Sequence, residues 1–163
     1  MQSCFVSFSD SDYKEVWDRF YTSFKFKPSV YSKDWPSFQL PSPYITYDIS
    51  QHHSQDFLDD LDEKGMKCLQ AITAQDESIY DLDWHHTCYH FYPHLPRKRF
   101  NHLTPFYPDG DYYIFLHKDF KWGYLGHPWE ESISLFGEEI IKVFEANKPQ
   151  IFGKVIWQSG LED

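Results

Sequence analysis

The spacing of apolar residues along this chain switches between a helical and a strand period, and the switches outline its elements. Ser9-Asp10-Ser11-Asp12 offers several helix N-cap residues, and Tyr13, Trp17, Phe20, Tyr21 and Phe24 then recur at helical spacing. That helix should stop before Pro28. Four prolines between 28 and 43 make an ordered connector, and Tyr44–Ile49 reads as a short strand. A second helix is predicted over 55–74, with Leu58, Leu61, Gly65, Cys68, Leu69 and Ile72 on one face and Asp56, Asp59, Asp60, Glu63 and Lys67 opposite. Gly65 in its interior predicts close packing against another element, because glycine there costs about 1 kcal/mol relative to alanine.

Beyond the second helix the pattern is strand-like. Residues 78–92 read as strand with a break at Asp81–Asp83, and the proline-containing stretch 93–108 reads as a long loop. Residues 112–117 are apolar on both faces, as a central strand requires. A turn at Lys118-Asp119 leads to a strand over 120–125, and another strand follows over 131–136. Gly137 opens a helix over 138–146, ended by Asn147 and Pro149, and 151–157 is the last strand. The predicted fold class is α+β: one domain over 1–163, a largely antiparallel sheet, and helices packed mainly on one face.

Composition sharpens this picture. The 163 residues include 15 Phe, 12 Tyr and 6 Trp, so a large core is available despite a mean hydropathy of -0.62. Cys4, Cys68 and Cys88 are odd in number and lack CxxC spacing, which favours a reducing compartment over a disulfide framework. The N-terminus lacks the basic and apolar regions of a signal peptide, and no apolar run approaches a membrane span. A cytoplasmic, membrane-free protein is the expectation.

The net charge is -10, and residues 56–83 supply seven of those charges through nine acids against Lys64 and Lys67. Nucleic-acid binding is disfavoured, since the basic cluster Arg97-Lys98-Arg99 is too short to reverse that field. An acidic surface would steer a basic protein, such as a toxin or nuclease. The structural alternative is that acids in the first half of the second helix simply oppose its dipole.

Several constellations could carry chemistry. In a strand, His86, Cys88 and His90 would project from one face and could hold a metal. Their spacing matches no standard zinc signature, so no metal or other cofactor is assigned. Cys88 beside a histidine is a weak candidate nucleophile. GxSxG and phosphate-cradling glycine loops are absent. Asp109-Gly110-Asp111 is first a turn signal. Gly126-His127-Pro128-Trp129-Glu130 reads either as a strand corner with Trp129 in the core or as a binding element with Trp129 at the surface.

The set Trp84-His85-x-x-Cys88-Tyr89-x-Phe91-x-Pro93, Pro108-Asp109-Gly110-Asp111-Tyr112-Tyr113, Gly126-His127-Pro128-Trp129-Glu130 and Leu135-Phe136-Gly137-Glu138-Glu139 resembles the bacterial domain of unknown function 2716, over about residues 80–157. The resemblance implies a small bacterial protein and carries no catalytic residues to transfer. Size and acidity are similar to those of immunity proteins that neutralise toxins. The leading expectation is a protein-binding module of that kind and not an enzyme, with Asp56, Asp59, Asp60 and Glu63 steering and Tyr124 and Trp129 anchoring. The alternative is a small-ligand binder or enzyme in which His90, Asp111, His127 and Glu130 supply acid–base groups. A homo-oligomer that uses its aromatic surplus as interface is a third reading.

Overall fold

The computed structural model describes residues 3–51, 53–96 and 105–161. Arg97, Lys98 and Arg99 lie outside these residues. Helix α1 (Asp10–Phe24) begins at a capping box: Ser9 Oγ accepts the Asp12 N–H at 3.1 Å, and the Asp12 carboxylate accepts the Ser9 N–H at 3.3 Å. The first strand, β1 (Phe5–Ser7), is too short for its period to register in the sequence. Helices α2 (Gln55–Ala71) and α3 (Glu138–Ala146) follow the predicted apolar faces.

The remaining strands are β2 (Tyr44–Asp48), β3 (Ile79–Asp83), β4 (Tyr89–Phe91), β5 (Tyr113–Leu116), β6 (Gly123–His127), β7 (Ser132–Phe136) and β8 (Val155–Ser159). They form one antiparallel sheet in the order β1-β4-β3-β5-β6-β7-β2-β8. The fold is α+β, as the pattern predicts.

The register divides the core in two. Ile45, Leu135, Tyr124 and Phe115 lie side by side across β2, β7, β6 and β5, and their row packs with α2 and α3. One residue along, Thr46, Ser134, Leu125, Ile114 and Leu82 form the opposite row, which faces α1 and the connector 25–43. Two of the three α-helices among the described residues thus share a face, and α1 takes the other. Gly65 is as tightly placed as expected: a Cβ there would meet the Phe106 ring at 2.6 Å.

Several boundaries differ from the sequence pattern: α2 ends at Ala71 and not at 74, and β6 runs on to His127. The strand predicted from 78 onward runs through Asp83, and the break falls at 84–88. Phe120 is not in a strand but in the turn after β5, at φ 58° with its N–H donating to His117 O. The last strand starts at Val155, because Ile151 and Phe152 are spent as core plugs ahead of it.

Candidate functional site

At the start of β5 and the end of β6, one buried network joins three segments. Glu130 N–H donates to His127 Nδ1 at 3.0 Å, which fixes the proton on Nε2. Nε2 then donates to Ser37 Oγ at 2.8 Å, Ser37 Oγ lies 3.1 Å from Tyr112 Oη, and Tyr112 Oη accepts the Ser29 N–H at 3.1 Å. Burial pushes His127 down to about 4, so it is neutral at pH 7. An Nε2 that carries a proton cannot take one from Ser37, so this serine–histidine pair is not an activated nucleophile. Its effect is to lock the connector onto the sheet.

A cleft of about 200 Å³ opens beside this network. Phe38, Leu40 and Tyr44 supply apolar walls, and Thr46, Ser134, Glu130 and Trp157 supply the polar and aromatic lining. Thr46 Oγ1 and Ser134 Oγ are hydrogen-bonded at 2.7 Å. Glu130 accepts from Ser132 Oγ and, at 3.2 Å, from Trp157 Nε1. Trp157 and Trp129 are each 38% exposed, and Trp129 rests on Tyr112 with ring centroids 5.4 Å apart.

The four predicted acid–base groups do not converge. His90 Nε2 lies 3.1 Å from Asp12 Oδ2, tying β4 to the start of α1 and holding the Asp12 carboxyl below its usual range. Asp111 lies beside His86, His127 is sealed in its network, and Glu130 alone faces the cleft.

The predicted ligand trio is also split. Residues 84–87 form a turn, so the strand alternation that would align His86, Cys88 and His90 does not exist. Cys88 is buried beneath α1, with burial raising its thiol to about 11, which leaves it unreactive as a nucleophile at neutral pH. His86 instead meets two carboxylates: its Nδ1 is 2.9 Å from Asp83 Oδ1 and 3.2 Å from Asp111 Oδ2. The Asp83 hydrogen bond, followed by its charge, raises the His86 pKa. The sequence singles out His86 but misses Asp83, because it counts strand alternation and not turn spacing.

Among the predicted anchors, Tyr124 is corrected. It is wholly buried, its hydroxyl donates to Phe106 O at 2.7 Å, and burial raises its pKa well above 10.0. Its row faces α2 and α3, so no part of it reaches a partner. Trp129 lies at the corner between β6 and β7 but is exposed, so it does not plug the core as the first reading of its motif expects. Asp56, Asp59 and Glu63 are exposed on α2, whereas Asp60 has local work. Burial pushes Asp60 up, but Lys64 at 2.9 Å and the Gln150 N–H at 2.8 Å outweigh it and hold the carboxyl below its usual value.

Comparison with known sequences places the chain. The profile described as "Protein of unknown function (DUF2716)" matches residues 7–141, from β1 into α3. The chain belongs to the DUF2716 family. That match takes in α1 and α2 as well as the motif-rich second half. This DUF2716 chain is also similar to "Uncharacterized protein YxiI" of Bacillus subtilis (strain 168), at 38% identity over 69% of this chain and 76% of the relative. No solved structure matches it. No helix of this DUF2716 protein among its described residues is long and apolar enough to cross a membrane.

Proposed function

We propose that this protein is a binding module for a basic protein, of the toxin-neutralising immunity type, and that the cleft holding Glu130 and Trp157 receives a Lys or Arg side chain of that partner. The observation that carries this reading is the pairing of a carboxylate with a half-exposed indole at the cleft mouth. A cation placed there meets a fixed negative charge and an aromatic face together. Trp129 adds an apolar anchor next in sequence, and such tryptophans commonly contribute about 2 kcal/mol or more at interfaces.

The exposed carboxylates Asp56, Asp59 and Glu63 lie on the α2 side of the sheet, away from the Trp129 face. Their part is long-range steering within the -10 field and not direct contact. Scattering of His90, Asp111, His127 and Glu130 supports a binding role over an acid–base enzyme.

The test is capture of proteins from the native host with tagged full-length chain, read by mass spectrometry at low and high salt. The expected result is a basic protein retained at low salt and weakened at high salt, because screening shortens the reach of the acidic field. Retention of no basic protein, or capture indifferent to salt, contradicts the reading.

A further inference from the structure

We propose that Asp83, His86 and Asp111 form a divalent-cation site at the junction of β3, the following turn and the start of β5. The ligand atoms are one imidazole nitrogen and two carboxylate oxygens, all within 4.8 Å of one another. The two edges that meet at His86 Nδ1, 2.9 and 3.2 Å long, suit a shared ion. Ligands bound at about 2.1 Å stand roughly 3.0–3.4 Å apart around an octahedral or tetrahedral centre.

The backbone sets this arrangement before any ion arrives. Asp83 ends β3 and is paired with Tyr113 of β5, which fixes positions 83 and 111 on neighbouring segments. Trp84 N–H donates to Tyr112 O at 3.2 Å and clamps the turn against the β5 loop. His86 N–H donates to Asp83 O at 3.0 Å, folding the imidazole back over its own turn. Asp111 Oδ1 accepts the Tyr112 N–H at 2.8 Å, which leaves Oδ2 directed at His86. The two carboxyls are 11% and 16% exposed, while His86 is 63% exposed, so the pocket has a sheltered floor and an open side for entry and bound water.

Donor chemistry narrows the ion. Two carboxylates with a neutral imidazole neutralise a dication, and a mixed nitrogen–oxygen set suits Zn²⁺ or Mn²⁺ better than Ca²⁺, which prefers six to eight oxygens. Three protein ligands leave coordination positions open. The site includes His86 from the sequence-predicted trio but replaces Cys88 and His90 with Asp83 and Asp111. It is independent of the partner reading above, since Glu130, Trp129 and Trp157 are not ligands.

The test is titration of chelator-stripped full-length protein with Mn²⁺, followed by electron paramagnetic resonance, and with Zn²⁺, followed by calorimetry. The expected result is one ion per chain, with affinity falling more than about tenfold in Asp111→Asn and in His86→Gln. Thermal denaturation of each variant without metal checks that it is folded, and His86→Gln, at the exposed corner, serves if Asp111→Asn fails to fold. No stoichiometric uptake of either ion overturns the proposal. Uptake that is unchanged in a folded variant also overturns it, because other histidines would then be the ligands.

Discussion

The two faces of the sheet are built from the same strands but finished differently. On one face, α2 and α3 cover a row of Ile45, Leu135, Tyr124 and Phe115 with aliphatic and aromatic side chains. On the other, α1 and the connector cover β3, β5, β6 and the Phe136 end of β7, and a cleft lined with hydroxyls, Glu130 and Trp157 opens over β2, β8 and the rest of β7. On the first face Leu135, Tyr124 and Phe115 are finished as core, each 1% exposed or less. The second keeps polar groups partly accessible at some expense in burial, which is where a binding surface is to be sought.

The largest effect expected is on the sealed face. Phe144 is 1% exposed and packs against Tyr124 and Phe152. Phe144→Ala should destabilise the protein by about 3–5 kcal/mol in urea denaturation. A loss under about 1 kcal/mol would mean that this face is not the sealed core described.

The next effect belongs to the α1 face and depends on pH. His127 is held at about 4 in the folded protein against 6.5 when free. Between those values the unfolded chain binds a proton that the folded chain refuses, so stability rises with pH there. The contribution is complete above about pH 6.5 and is lost as pH falls towards 4, amounting to about 3 kcal/mol over that window. Urea midpoints measured from pH 7.5 to 4 should rise more steeply with pH in the native protein than in His127→Gln, which keeps only the contributions of groups such as His86, Asp12 and Asp60. An equal slope in both would place the titrating group elsewhere.

Much of the fold was legible because its signals are local. Ser9 and Asp12 make a capping box among the predicted cap residues, α3 occupies 138–146 as its stripe and Gly137 require, and Gly110 turns at φ 87° within the predicted turn. The residues that matter for chemistry were less legible because they depend on which segments meet. Nothing local reveals that the connector's Ser37 reaches His127, or that Trp157 meets Glu130. The strand period predicted at 84–90 failed for a specific reason: tight turns place ligands by backbone direction, and His85 at φ 66° directs this one.

The smallest expected change in stability accompanies the largest expected change in binding. Trp157 is 38% exposed on edge strand β8, so Trp157→Ala should cost less than about 1 kcal/mol of stability. The decisive measurement is therefore capture of the basic host partner by Trp157→Ala and Glu130→Gln, beside the triple charge reversal of Asp56, Asp59 and Glu63 on α2. The folded cleft variants should lose the partner, while the α2 variant still binds but associates more slowly and with a flatter salt dependence. Full capture by both cleft variants would contradict the claim that the α1 face receives the partner.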